Sequence, residues 1–275
     1  MTILPRIVET LVGPPSGVGY VFREEYQEFK VKGYSSSKPN ECEVTIHNLS
    51  SRMIAFLEAP NQVLQLSAGQ GAAGLLFRGE IQPRGVTTKL ETSERTTTIK
   101  AVDGRVLWRD EKVSLSWPPN TTVQVVVMDL LRAATAQGLA IAPGNTYPPD
   151  SFPAGYYHPG RWRDAMTEVL WPRGFGWTIQ DRTIYVGPSE ALAPGNVPLL
   201  TPQTGLIGSP ERTKAGCNFE CVLDPRVRPG WGATLKSAMT TGTFRVVVRE
   251  HDGDSDGGKW ITKAQCEKIK GQVYG

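Results

Sequence analysis

The chain has 275 residues, a length that fits two or three domains of about 100 residues each. Thirty basic residues nearly balance 27 acidic ones, for a formal net charge of +3, and no run of lysine or arginine occurs. This balance argues against a dedicated nucleic-acid-binding protein. The 29 glycines and 21 prolines are numerous for a helical protein and indicate the many turns of a mainly β fold.

The start of the chain, residues 1–6, has neither a basic segment nor a long apolar stretch before a small-residue cleavage site, so no signal peptide is predicted. No apolar run is long enough to span a bilayer. We therefore expect assembly in a cytoplasm, without membrane insertion. In a reducing compartment Cys42, Cys217, Cys221 and Cys266 should be free thiols, since none forms a Cys-x-x-Cys pair.

Short segments of alternating apolar and polar residues, separated by turn residues, make up the first part of the chain. Alternation predicts strands, because successive side chains of a strand point to opposite faces. The predicted strands cover residues 6–12, 29–32, 42–49, 63–66, 75–81, 87–91 and 96–102. Residues 50–57 are predicted to hold one or two helical turns. Spacing of about ten residues between strands indicates a barrel or sandwich.

The pattern changes to a helical one after residue 117. Apolar residues recur at helical spacing at Val123, Val126, Val127, Leu130, Leu131 and Ala134. Asn120 and Thr121 are the candidate N-caps of this helix, and Gly138 ends it. A second helix is predicted over residues 161–170 and a hairpin over residues 175–186, turning at 180–182. The loop at 144–160 is rich in proline, tyrosine and glycine and is predicted to be irregular.

Strands are predicted again near the end of the chain, over residues 216–223, 232–237, 242–251 and 259–264. Both β-rich parts show a strand ending in a polar turn, a short strand, a glycine-led strand and a closing strand. An internal duplication explains this order, and chance similarity among β segments is the alternative. The predicted fold is mainly β, with two related β-barrel domains (1–117 and 191–275) flanking a small α+β insert (118–190).

Segments at both ends of the chain resemble phage baseplate hub proteins of the T-even type. Residues 40–50 resemble their N-x-x-x-V-x-I-x-N-L-S segment, and residues 64–69 and 77–81 resemble the v-L-x-A-G and F-x-G-x-I strands that follow it. Three later segments resemble the G-L-I-G-x-P, L-x-P-x-x-x-P-G and H-x-G-D-x-x-x-x-x-W-x-T motifs; they lie at residues 204–210, 223–230 and 251–262. Such hubs are similar to the upper part of the spike proteins of contractile injection systems.

This resemblance implies a homotrimer of tail-tube-like barrels that joins a six-fold tail tube to a three-fold spike. The implied partners are further copies of the chain, the tail tube protein and a separate spike protein, with baseplate wedge and tape-measure proteins beside them. The implied location is the virion baseplate, and DNA would pass through the lumen without sequence-specific contacts. No cofactor and no catalytic activity are expected. The candidate partner-contact or structural-turn residues are Asn48, His251, Asp252, Asp254 and Trp260.

Residues 252–257, DGDSDG, match the start of a calcium-binding EF-hand loop. However, the twelfth position is Lys263, where a glutamate would supply bidentate ligation. We therefore expect a β-turn here rather than a metal site, since Asp and Gly suit such turns. The three histidines do not follow a zinc-binding spacing, and no G-x-S-x-G elbow for a nucleophilic serine is present.

The insert leaves a second function open, that of a peptidoglycan-binding or hydrolysing tail-tip protein. Its dense aromatic residues form either a core or a contact surface for carbohydrate or protein; they are Tyr147, Phe152, Tyr156, Tyr157, Trp162, Trp171, Phe175 and Trp177. Glu168 and Asp181 are the candidate carboxylates for wall hydrolysis. A solvated helix face and a turn are the interpretations favoured for these two.

Overall fold

The computed structural model describes residues 4–36, 38–91, 94–109, 111–191, 193 and 195–269. Strands dominate these residues, which confirms the mainly β fold class. Across the described part of the chain, no helix is both long enough and apolar enough to cross a membrane.

The first β region contains seven strands: β1 (Arg6–Gly13), β2 (Tyr20–Phe22), β3 (Gln27–Tyr34), β4 (Glu41–His47), β5 (Val63–Gln70), β6 (Gly74–Glu91) and β7 (Glu94–Val102). Helix α1 (Ser51–Leu57) begins where predicted, because the Ser50 side chain accepts a hydrogen bond from the Met53 N–H. The prediction of separate strands at 75–81 and 87–91 was wrong. They form the single strand β6, with a register irregularity between Ile81 and Val86, the kind of feature that bends a strand without ending it.

The middle region contains the predicted helices and hairpin. Its elements are α2 (Arg105–Arg109), β8 (Lys112–Trp117), β9 (Thr121–Thr122), α3 (Val123–Ala136), β10 (Ala140–Ile141), β11 (Ser151–Phe152), β12 (Tyr156–Arg161), α4 (Trp162–Leu170), β13 (Phe175–Gln180) and β14 (Thr183–Pro188). The hairpin turns at Asp181 and Arg182, both with positive φ.

Two local predictions in this region were wrong. The N-cap of α3 is Thr122, whose side chain accepts from the Val125 N–H; the candidate Asn120 has positive φ and Thr121 pairs with Phe152. The loop predicted at 144–160 contains β11 and β12. Strand β12 pairs only with β8 among the described strands, and an edge strand tolerates its proline, Pro159.

The last β region contains β15 (Leu199–Leu200), β16 (Leu206–Arg212), β17 (Gly216–Val222), β18 (Gly232–Lys236), β19 (Thr241–Asp254) and β20 (Trp260–Lys268). One 13-stranded sheet runs through both β regions in the order β16-β17-β20-β19-β3-β4-β7-β6-β5-β1-β2, and β18 pairs with β19 and β15. The two regions meet at an antiparallel ladder between β19 and β3, from the pair Val248–Tyr34 to the pair Asp254–Glu28. We call this ladder the internal seam.

The two β regions repeat one topology. The first contains β3-β4-β7-β6-β5 as antiparallel neighbours, and the second contains β16-β17-β20-β19-β18 in the corresponding order. The long fourth strand of each repeat, β6 or β19, carries a register irregularity. The predicted order of related strands is therefore confirmed. A shared strand order is more specific evidence of an internal duplication than similar residues in short β segments.

Three clusters of buried side chains form the core. One lies in the first β region, one in the last, and the third in the middle region, where it includes Leu107 and Trp117. The middle cluster thus extends before residue 118, and the domain ranges 1–117, 118–190 and 191–275 stay a prediction. Cys42 lies in the first cluster, the other three cysteines lie in the last, and all four are buried and free.

Candidate functional site

The β19–β20 hairpin brings Asp252, Asp254 and Trp260 together, with residues 255–259 as the loop. The Asp254 carboxylate closes this loop, because its Oδ1 accepts three backbone N–H groups at 2.8–2.9 Å. The donors are Asp256, Gly257 and Gly258. Arg6, at the start of β1, pairs with the same oxygen at 3.3 Å. Asp254 therefore ties the loop to the first strand of the chain.

Two of the side chains that an EF-hand loop would offer to calcium, Asp252 and Asp254, are engaged in other contacts. The Asp254 carboxylate is occupied by N–H donors, and Asp252 pairs with Lys259 at 3.0 Å. No group of three His, Cys, Asp or Glu side chains is arranged to hold a metal ion within the described ranges. The geometry is that of a structural turn closed by a carboxylate.

We expect Asp254→Ala to lower the free energy of unfolding by about 2 kcal/mol, because it leaves three backbone donors without their charged acceptor. Denaturant unfolding followed by tryptophan fluorescence measures this. The matched control is Asp256→Ala, which removes an exposed carboxylate of the same loop and should change stability by less than about 0.5 kcal/mol. Equal losses in the two variants would contradict the anchoring role.

His251 and Trp260 are buried, so neither offers a surface to a partner in this structure. His251 shares a 2.8 Å hydrogen bond between Nδ1 and the Thr262 Oγ1. Burial, together with the nearby Arg249 and Arg228, holds the pKa of His251 well below its usual value. Trp260 meets Phe29 edge to face at 6.0 Å and carries the Arg6 guanidinium over its ring.

Asn48 is exposed and lies in the turn that follows β4, with a φ of 56°. Its Oδ1 accepts the Arg95 N–H at 3.2 Å, and its own N–H donates to the Arg95 carbonyl at 2.7 Å. Glu28 of β3 pairs with both Asp254 and Thr45, which places Asn48 and the Asp254 loop at the same end of the sheet. Among the candidate partner-contact or structural-turn residues, Asn48 is thus the exposed one.

Sequence reasoning missed a polar junction where the middle region meets both β regions. Arg182, in the β13–β14 turn, forms an ion pair with Glu80 of β6, and both side chains are largely buried. Arg182 also donates from Nη2 to the carbonyls of Gln137 and Gly138 at the end of α3, at 3.3 and 3.1 Å. Its backbone N–H donates to the Asp103 carboxylate at 2.9 Å.

The same turn also contacts the last β region and β4. Asp181 pairs with Arg228 at 3.0 Å. Asn40, just before β4, donates from Nδ2 to the Ile179 carbonyl at 2.9 Å and to the Gln180 side chain at 3.0 Å. We call these contacts and those of Arg182 the junction network. The turn therefore ties all three regions together.

Burial dominates the electrostatics of the junction network. It raises the pKa of Asp103 well above the usual value, and the neighbouring Asp181 raises it further. It also raises the pKa of Asp181, against the effect of Arg228 and Arg249. Arg249 of β19 is fully enclosed, and burial lowers its pKa to about 10. The one sequence signal was a charged Asp-Arg pair inside an otherwise uncharged hairpin.

The two candidate carboxylates for wall hydrolysis have different partners. Glu168 of α4 accepts hydrogen bonds from the Tyr156 hydroxyl and from His158 Nδ1, both at 3.0 Å. Asp181 belongs to the junction network. Glu168 therefore links α4 to β12, and Asp181 links the β13–β14 turn to the last β region.

Most of the aromatic residues of the middle region form its core. Trp162 is fully buried and donates to the Leu130 carbonyl, and Trp177 stacks on Trp108 with ring centroids 4.7 Å apart. Trp171 and Tyr157 differ, with 72% and 61% of their surface exposed. The aromatic residues predicted as either a core or a contact surface therefore form a core, except that the rings of Trp171 and Tyr157 lie at the surface.

One face of the shared sheet carries charges of alternating sign across both β regions. Cross-strand neighbours form two rows, Glu220-Lys263-Glu250-Lys32-Glu41 and Asp252-Lys30-Glu43-Lys100. Ion pairs join Lys30 to Glu250 at 2.9 Å and Lys100 to Glu43 at 3.3 Å. We call this surface the alternating-charge face. Neighbouring charges compensate each other, so the face has little net field.

No protein-family model and no curated protein sequence matches the chain. Solved structures share its fold over nearly its whole length. A tail protein from Neisseria meningitidis MC58 superposes with a TM-score of 0.68 at 11% identity, covering 96% of this chain and 97% of that chain. The 43 kDa tail protein of prophage MuSo2 from Shewanella oneidensis gives 0.64 at 8% identity, with 94% and 97% covered.

A third structure connects the fold to a secretion system. The E. coli c3393 protein is described as a type VI secretion component with structural similarity to the T4 bacteriophage tail proteins gp27 and gp5. It superposes with a TM-score of 0.60 at 10% identity, covering 94% of this chain and 77% of that chain. The chain therefore has the fold shared by these phage tail proteins and this type VI secretion component.

Proposed function

We propose that the chain is the structural hub subunit of a phage tail baseplate, without catalytic activity. It assembles as a homotrimeric ring, joins the six-fold tail tube to the three-fold spike, and lets DNA pass through its lumen. The observation that carries this proposal is the repeated five-strand topology within one chain. Two similar β units in each of three subunits present six units around an axis, which matches a six-fold tube.

The alternating-charge face supports the proposed passage of DNA. A wall of compensated charges neither holds a polyanion by counterion release nor repels it strongly. Desolvating several ion pairs is costly, and charged side chains are depleted from the cores of protein interfaces. This face therefore suits contact with water and passing DNA better than it suits a permanent protein contact.

Size-exclusion chromatography with light scattering tests the ring. We expect a species of three times the chain mass at high protein concentration, and co-elution with the tail tube and spike proteins that the proposal names as partners. A protein that stays monomeric at every concentration and binds cell wall would overturn the hub. Assembly in the host cytoplasm and residence in the virion baseplate follow from the same proposal.

A second candidate function is binding to peptidoglycan through the middle region. The observation that favours it is a cleft of about 640 Å³ whose lining includes Trp171, Phe175, Trp177 and Tyr185. Aromatic clefts of this size are typical ligand sites. A cell-wall pull-down tests it: Trp171→Ala should abolish binding, whereas Tyr157→Ala, outside the cleft, should preserve it.

A further inference from the structure

The internal seam uses only part of strand β19. The first half of β19 pairs with β18 along one edge, and β20 pairs along the opposite edge. Beyond Arg245, the edge that β18 leaves open is taken by β3, over residues 248–254. One long strand thus serves its own β unit with its first half and the other β unit with its second half.

The repeated topology assigns an equivalent to each strand of this seam. Strand β3 begins the order β3-β4-β7-β6-β5, as β16 begins the order β16-β17-β20-β19-β18. Strand β6 corresponds to β19 in the same way. The equivalent of the internal seam would therefore join the second half of β6 to a β16 strand.

Both of these strands have an open edge at the required place. Residues 74–80 of β6 pair with β5 on one edge, and β7 occupies the opposite edge as far as Glu91. Among the described strands, none pairs with residues 86–91 on the β5 side, and β16 pairs with β17 alone. Six strands separate β16 from β6 within the sheet of one chain, so these two open edges do not meet within that sheet.

We propose that residues 86–91 of β6 pair in antiparallel fashion with β16 of a neighbouring copy, which repeats between chains the seam that β19 and β3 form within one chain. This inference rests on the proposed ring and names the strands that close it. The contact is head to tail, so it forms a closed ring when the rotation between units closes. In a trimer, three internal seams alternate with three seams between chains.

The side chains of the two strands agree with this pairing. Leu90 of β6 is 71% exposed and Ile207 of β16 is 43% exposed, and large apolar side chains at open edges mark contact surfaces. Lys89 on one strand and Glu211 on the other carry opposite charges. Residues 208–210 form the irregular part of β16, so regular pairing is expected at both ends of that strand.

Engineered cysteines test the seam directly. The native cysteines are buried, so new surface thiols react selectively. Leu90→Cys is combined with Ile207→Cys in one variant and with Glu211→Cys in another, because these residues flank the irregular part of β16 and the pairing register decides which end lies opposite. The control combines Leu90→Cys with Val18→Cys, which is 92% exposed on the β1–β2 turn. Each full-length variant is oxidised with diamide and separated on a non-reducing gel.

We expect at least one seam variant to form covalent dimers and trimers about tenfold more efficiently than the control, because pairing raises the effective concentration of the two thiols. Light scattering on the same samples separates the possible failures. Trimers without seam cross-links would overturn this inference but would still support the proposed homotrimeric ring. Monomers at every concentration would overturn both. Cross-linked open filaments would support the pairing and overturn the closed trimer.

Discussion

Replacing Arg182 with alanine is expected to lower the free energy of unfolding by about 3–5 kcal/mol, the usual cost of breaking a buried ion pair from one side. The change leaves the largely buried Glu80 carboxylate without its partner. It also removes the donor to the carbonyls of Gln137 and Gly138, which no further helical turn satisfies. Urea unfolding at pH 7, followed by circular dichroism, measures the loss.

Two comparisons separate the junction network from a generic loss of charge. Arg163→Ala breaks an exposed ion pair with Asp164 on α4 and should cost less than about 1 kcal/mol. The double variant Arg182→Met with Glu80→Gln should be more stable than Arg182→Ala, because it leaves no unpaired buried charge. A loss below about 1 kcal/mol for Arg182→Ala would show that the junction is not a stabilising contact.

Acid should weaken the fold through His251. Its pKa is well below the usual value in the folded state, so below pH 6.5 the unfolded chain binds a proton that the folded chain does not. The stability that the neutral ring contributes is present above pH 6.5 and is lost as the pH falls from 6.5 towards the folded pKa. The slope is about 1.4 kcal/mol per pH unit between the folded and unfolded pKa values.

The variant His251→Gln isolates this effect, because its side chain does not titrate. The difference in free energy of unfolding between the native chain and this variant should shrink steadily below pH 6.5. Asp103→Asn provides a control of opposite sign. The raised pKa of Asp103 means that its contribution is present at low pH and is lost as the pH rises from its unfolded value towards the folded pKa. A pH-independent difference for His251→Gln would contradict the buried neutral ring.

Periodicity predicted the elements whose own residues determine them. The apolar spacing of α3 and the alternation around the β13–β14 turn needed no distant partner. Strand β12 was missed because its proline and glycine suit an edge strand only once β8 lies beside it. The division of β6 into two strands failed for a similar reason, since the distant strand β7 pairs with β6 on both sides of its irregular middle.

The candidate site likewise contains one local feature that the sequence could predict and one long-range feature that it could not. The turn at Asp254 was predictable, because its donors follow within four residues of the carboxylate. The junction network was not, because its partners are far apart in the chain: Asn40 and Ile179 are separated by 139 positions, and Glu80 and Arg182 by 102. A single sequence carries no periodic signal for contacts over such distances.

The internal seam has a consequence for how the chain folds. Strand β3 must wait for β19, more than two hundred residues later, before both of its edges are paired. Closing so long a loop slows folding, since its entropy is lost before the contact forms. While the chain is being synthesised, the first β unit therefore displays an open strand edge, a template for wrong pairing. We expect folding intermediates to aggregate unless a chaperone or early assembly protects that edge.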